Sequence, residues 1–222
     1  MTTSFGKITA VLLGSAALMI CSAGVASATN IINNPGFETG PTNPVTPNDW
    51  QYSPAGATRD NTNPYGGSSY EANLNNITEA TNANVFQQTA FGTVTPGTQY
   101  TFSFYSEFQG ASGGIGQAQL EFMNSTGGVL AGSPVFINLP NTTSNFGVPA
   151  GYQLTSQNFT APTGASAIFV SFNATTGAVT GSVAHAYVDN VSFAPVSTPE
   201  PASLALLAIG GVALLALRRR VA

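Results

Sequence analysis

Charge is what this 222-residue chain has least of: 6% of its residues are Asp, Glu, Lys or Arg, against about 25% in an ordinary soluble domain. Five are basic, and Lys7, Arg218, Arg219 and Arg220 lie near the two ends. Between them stands Arg59 alone, against Glu38, Asp49, Asp60, Glu71, Glu79, Glu107, Glu121 and Asp189. Such a surface repels phosphate backbones and has no cations to displace counterions, which excludes nucleic acid as a partner. Cysteine occurs once, as Cys21, and histidine once, as His185. Zinc centres of the Cys/His type are therefore excluded. No Ser sits in a G-x-S-x-G elbow, so that hydrolase machinery is missing as well. Long apolar runs occur only at the ends, and no helix-period pattern appears between them.

The N-terminal run reads as a secretory signal peptide over residues 1–28. Lys7 supplies the positive end, Ile8 to Ile20 the apolar run, and Ala26-Ser27-Ala28 an A-x-A cleavage site. The exported chain then begins at Thr29, and Cys21 leaves with the leader. A lipid anchor on Cys21 is disfavoured, because Ile20 stands where a small residue is needed. The exported protein is thus expected to have neither a disulfide nor a thiol, although its compartment is oxidising. At the other end, residues 196–222 hold three features in order: Pro199-Glu200-Pro201, an uncharged run over 202–217, and Arg218-Arg219-Arg220. As a helix the run spans roughly 24 Å, a little less than a hydrocarbon core of about 30 Å. Arginines directly after it stay cytoplasmic, which places everything before Pro199 outside. A plain C-terminal anchor gives the same physics.

Residues 29–195 read as one all-β domain, large enough for a core of its own. Tyr100-Thr101-Phe102-Ser103-Phe104 and Ala118-Gln119-Leu120-Glu121-Phe122 alternate apolar with polar, and Ile168-Phe169-Val170-Ser171-Phe172 does so at its outer positions. That period of two marks strands with one buried face. Further strands are expected over 30–33, 69–74, 84–91, 129–137, 152–160 and 183–193. Pro96-Gly97, Gly113-Gly114, Thr126-Gly127-Gly128, Pro162-Thr163-Gly164 and Thr176-Gly177 supply the turns. Eight to ten short strands at this spacing predict a β-sandwich of jelly-roll type.

The three-part tail resembles the PEP-CTERM sorting signal of Gram-negative bacteria, with Thr198 where Val is often found. The resemblance implies an exosortase-type processing protease as partner and a transient stay in the inner membrane. It also implies release or attachment at the cell surface or in the extracellular matrix, usually in cells that make extracellular polysaccharide. The domain has an ordered signature of its own. It opens on Asn33-Asn34-Pro35-Gly36-Phe37-Glu38 and continues through Tyr65-Gly66-Gly67-Ser68-Ser69-Tyr70 and the Pro96–Phe104 segment. It closes on Tyr187-Val188-Asp189-Asn190-Val191-Ser192-Phe193. This order resembles the galactose-binding-like jelly rolls, which include several carbohydrate-binding modules. The resemblance implies a structural calcium held by Glu38 and Asp189, with a carbonyl from Gly66 or Ser68. Here Asn190 replaces the second acid of the closing motif.

A sugar site requires aromatic platforms beside hydrogen-bonding groups. Trp50 and Tyr105 are candidate platforms, and Gln117, Gln119 and Glu121 share one strand face that would line a concave sheet. A solvated face accounts for the same row, and a core plug for Trp50. Glu107 and Glu121, if on neighbouring strands, would imitate a glycosidase dyad. His185 reads as structural. Two functions stay open: a non-enzymatic surface or matrix protein, and a carbohydrate-binding module for polysaccharide. A glycoside-active enzyme ranks below both.

Overall fold

The computed structural model describes residues 28–39, 49–53, 56–142 and 145–197. The sorting motif Pro199, Glu200, Pro201, the apolar run, Arg218, Arg219 and Arg220, and the leader residue Ala26 lie outside the described residues. Among the described residues no helix is long and apolar enough to cross a membrane.

Alternation of apolar and polar residues produces ten strands among the described residues. They are β1 (Gln51–Tyr52), β2 (Ala57–Asp60), β3 (Glu71–Asn76), β4 (Asn82–Gln88) and β5 (Gln99–Ala111). After them come β6 (Ile115–Met123), β7 (Val135–Asn138), β8 (Gln153–Thr160), β9 (Ala167–Thr175) and β10 (Val183–Pro195). A front sheet runs β1-β4-β9-β6-β7 and a back sheet β2-β3-β10-β5-β8, with antiparallel neighbours throughout. From β3 onward almost every connection crosses from one sheet to the other. The sole helical element described is a single 3-10 turn, Pro149–Gly151.

The inner faces follow from the period of two. Tyr100, Phe102 and Phe104 of β5 point inward, as do Ala118, Leu120 and Phe122 of β6 and Ile168, Val170 and Phe172 of β9. Phe104 and Phe172 meet edge-on across the sheets with centroids 4.9 Å apart, and Phe122 meets Phe193 at 6.0 Å. Trp50 closes one end of this core. It is 2% exposed, packs on Phe37 at 4.7 Å and donates its indole N–H to the Asn34 carbonyl at 2.9 Å.

Two expected strands change. Residues 30–33 form none: Ile31 N–H donates to Phe193 O, and the Asn30 side chain bridges Val191 O and Phe193 N. The fully buried Gln87 amide exchanges two hydrogen bonds with the Asn33 backbone, filling the place of a neighbouring strand. The expected 129–137 strand shrinks to β7, because Gly132 turns the chain with φ +84° and Pro134 has no N–H to offer a ladder. The short edge strands β1 and β2 carry too few residues for a periodic signal. On β10 a bulge between Asp189 and Ser192 puts Asn190 at φ 50°, a conformation that Asn tolerates better than most residues.

Candidate functional site

The two outer faces of the sandwich differ in kind. The front face carries half-exposed amides and rings. Cross-strand register lines up Phe86, Ser171, Gln119 and Phe136 in one row, and Asn84, Asn173, Gln117 and Asn138 in the next. Gln88, Phe169 and Glu121 make a third. The polar side chains hold one another in place. Gln119 Nε2 donates to Glu121 Oε1 at 2.6 Å and Gln117 Nε2 to Asn138 Oδ1 at 3.0 Å. Asn82 Nδ2 donates to Asn173 Oδ1 at 3.2 Å, and Asn173 Nδ2 to Ser171 Oγ at 3.0 Å. Phe86 and Phe169 lie together with centroids 5.6 Å apart, and Phe136 on edge strand β7 is 55% exposed. Apolar rings flanked by amides match the two chemistries of a sugar, a C–H face and a rim of hydroxyls.

Gln117, Gln119 and Glu121 therefore occupy an outer face together, as their alternation predicts. The structure corrects the two platforms assigned to them. Trp50 is sealed in the core, where its ring stacks on Phe37 and Phe172. Tyr105 belongs to β5 and faces outward from the back sheet, so the sandwich separates it from the Gln117–Glu121 row. The same separation removes the carboxylate dyad. Glu107 lies on β5 and Glu121 on β6, in different sheets and on opposite outer faces. Packed sheets are about 10 Å apart, beyond the reach of a shared glycosidic bond. The rings that do line the front face are Phe86, Phe169 and Phe136, which the sequence pattern does not single out. Each stands among other apolar residues, so composition alone does not tell the inward ring from the outward one.

The back face is covered by the segments before β3 and before β8. Beneath them Tyr65 stacks on Tyr105 at 3.8 Å and tilts against Tyr152 at 5.3 Å. Glu71, Glu107 and Asp189 are each 0% exposed. Burial pushes Glu71 up to about 7, with the charges of Asp60 and Asp189 adding, and Asp189 up to about 6. Glu107 is raised by burial too, while its bonds from Gly147 N and Asn63 pull the other way. Arg59 neutralises none of them. Its guanidinium carbon lies 3.2 Å above the Tyr70 ring centre, and it donates to the Phe37 and Glu38 carbonyls. His185 packs against Phe146 and Tyr187 and bonds Asn73 Oδ1 through Nε2 at 2.9 Å, and burial lowers its pKa.

Glu38 and Asp189 converge on one loop. Glu38 Oε1 accepts from Ser69 N at 2.7 Å, while Asp189 Oδ2 accepts from Tyr65 N at 3.0 Å and its Oδ1 from Ser68 Oγ at 3.4 Å. Gly36 has no Cβ. Where one would stand, Ser68 Oγ, Asp189 Oδ1 and Asn190 Oδ1 lie 3.3, 3.5 and 3.7 Å away. An all-oxygen cradle of this kind suits a hard cation. Ala28, the predicted last residue of the leader, directly precedes the described domain unit Thr29–Val196.

Two antiparallel sheets packed face to face make the described domain a β-sandwich, and its front face carries amides and aromatic rings. Residues 29–124 match the family model for a carbohydrate binding domain. Residues 197–220 match the PEP-CTERM protein-sorting motif. Among solved structures, the enzymatically active domain of tailspike protein 4 from bacteriophage CBA120 aligns with a TM-score of 0.56 at 18% identity. That alignment covers 75% of this chain and 21% of the tailspike chain, so this chain spans about a fifth of that relative's length. A carbohydrate-binding module in complex with beta-1,4-galactotriose aligns at a TM-score of 0.48 and 16% identity, over 74% of this chain and 97% of that one. A xylan-binding domain from Paenibacillus barcinonensis aligns at 0.45 and 12%, over 74% and 93%. No curated protein matches the chain.

Proposed function

We propose that this chain is an exported, non-catalytic protein of the cell surface or extracellular matrix that binds extracellular polysaccharide through its front face. The PEP-CTERM motif supports delivery by an exosortase-type protease after a transient stay in the inner membrane. One observation carries the binding role: the row Phe86–Ser171–Gln119–Phe136 offers two exposed or half-exposed rings with the half-buried Gln119 amide between them, beside a buried Ser171. Phe rings take the C–H face of a sugar, and Gln117, Gln119, Glu121 and Asn173 bond its hydroxyls. Nothing in the row supplies a general acid paired with a second carboxylate, so binding without turnover is the reading.

A glycan array on the purified chain tests this. Binding that drops at least fivefold in Gln119→Ala or Phe86→Ala, and stays unchanged in Tyr105→Ala, supports the front face. A blank array returns the protein to a purely structural matrix role. Calcium has a proposed part as well. Glu38, Asp189, Ser68 and Asn190 would hold it, and when bound it supplies a cross-link between the opening turn and the closing strand. On that reading a chelator lowers the melting temperature, and Glu38→Gln makes the chelator effect smaller.

A further inference from the structure

The back face holds a group of oxygens that neither sugar binding nor the Glu38–Asp189 cradle uses. Glu71 projects outward from β3 and Glu107 from β5, on either side of β10. Asn63, in the covering segment, ties them together. Its backbone N–H donates to Glu71 Oε1 at 2.9 Å and its side-chain Nδ2 to Glu107 Oε2 at 3.2 Å. Gly147 N also donates to Glu107 Oε2, at 2.8 Å. Each carboxylate thus has one oxygen fixed by N–H donors. The other oxygens, Glu71 Oε2 and Glu107 Oε1, are buried and accept no well-formed hydrogen bond, although the Thr62 and Gly151 backbones lie close enough to the two carboxyls to favour their charged forms. Asn63 Oδ1, on a residue 1% exposed, and the Tyr152 hydroxyl are buried without a partner as well. Tyr152 directly follows Gly151, which packs against Glu107 Oε1, and its ring tilts against Tyr65 at 5.3 Å.

Buried acceptors with no donor cost about 1–3 kcal/mol each, and more when charged. Two ionised carboxylates in one dry site repel each other besides. The domain's single Arg is occupied at Tyr70, and His185 faces Asn73. No side-chain cation among the described residues therefore offsets the pair. The remaining oxygens have the character of a hard-cation ligand set: two carboxylates each offering one oxygen, one amide carbonyl and one phenol. N–H bonds to the distal oxygens give the outer-shell orientation that such ligands need. No three His, Cys, Asp or Glu side chains of the described residues converge as a metal group, so this set depends on its neutral members. Its sealed position favours a bare ion over an organic ammonium.

We infer that Glu71, Glu107, Asn63 and Tyr152 form a second site for a hard divalent cation, calcium in the first instance, beneath the covered back face. The site is separate from the Glu38–Asp189 cradle and independent of polysaccharide binding. Its role would be to clamp both covering segments onto the sheet.

The test is calorimetric titration of the EDTA-treated full chain in detergent with calcium chloride, then magnesium chloride. Glu38→Gln, whose side chain is exposed, serves as the parent that weakens the other site. The parent is expected to keep one equivalent of cation. Adding Glu71→Gln or Glu107→Gln should weaken that equivalent at least tenfold, and Tyr152→Phe severalfold. A parent that binds neither cation overturns the proposal whatever the other variants do. Affinity unchanged in all three variants overturns it too. Should the Gln variants fail to fold by circular dichroism, the parent stoichiometry and Tyr152→Phe decide. A blank glycan array would leave this result untouched, and the reverse holds.

Discussion

Gly151 is the residue on which the cover of the back face turns. It ends the short 3-10 turn and is itself buried. A Cβ placed on it would stand 2.2 Å from Asn145 O, 2.3 Å from Glu107 Oε1 and 2.8 Å from Glu107 Cδ. Contacts this short require a shift, and two of the three atoms belong to a fully buried carboxylate. Gly151→Ala must therefore push the covering segment off Glu107 or move Glu107 itself. Overpacking of this kind costs about 1–3 kcal/mol. Displacing the Glu107 carboxylate also strains its bond from Gly147 N, and hydrogen bonds to charged groups are worth about 1.5–3 kcal/mol. Part of each is recovered as the segment relaxes, which leaves on the order of 2–4 kcal/mol. For a domain of this size that corresponds to roughly 4–16 °C in Tm. Urea denaturation of the purified chain with and without the substitution measures it. A double-mutant cycle with Glu107→Ala isolates the contact, since removing the carboxylate leaves only the Asn145 carbonyl in the way. The expected coupling is about 0.5–3 kcal/mol. A loss below about 0.5 kcal/mol, or strict additivity in the cycle, would refute the close packing of Gly151 on Glu107.

The remaining predictions concern the core, the lone histidine and the proposed cradle. Trp50→Ala should destabilise by about 3–5 kcal/mol in chemical denaturation, and on the glycan array the folded fraction should bind as before, because the ring faces inward. Burial lowers the His185 pKa below its unfolded value. Its neutral form is thus favoured in the fold, and its contribution to stability is full above the unfolded pKa near 6.5 and lost as pH falls through that value. Stability measured for the wild type minus that for His185→Gln should therefore decrease from pH 7.5 to pH 5; a flat difference would contradict the burial. Chelator should lower the Tm of the wild type more than that of Glu38→Gln, and equal shifts in differential scanning fluorimetry would argue against the Glu38–Asp189 cradle.

Much of the fold was legible because its signal is local. Alternation along Tyr100–Phe104, Ala118–Phe122 and Ile168–Phe172 depends only on neighbouring residues, and each predicted inner face is the buried one. The sandwich itself follows from many such strands separated by Gly and Pro turns. Residues 30–33 form no strand because side chains take most of the bonding there: the Gln87 amide holds the Asn33 backbone and the Asn30 side chain bridges β10, and no periodicity reports that. The Gln117–Gln119–Glu121 face was legible for the same local reason. The rings beside it were not, because Phe86 and Phe169 each alternate with other apolar residues, and cross-strand register decides which row they join.

Taken alone, the sequence determines the all-β class, the polar face of β6 and the three-part tail that matches a sorting motif. These depend on residue order and short-range period. Only the tertiary structure decides that β5 and β6, consecutive in the chain, lie in opposite sheets. That one crossover separates Tyr105 from Gln119 and Glu107 from Glu121, while packing on Phe37 and Phe172 holds Trp50 inward. Pairing of β10 with both β3 and β5 gathers Glu71, Glu107 and Asp189 under one cover from strands far apart in sequence. Which residues share a face is set by how strands pair and how the two sheets pack, and that pairing depends on contacts between distant residues.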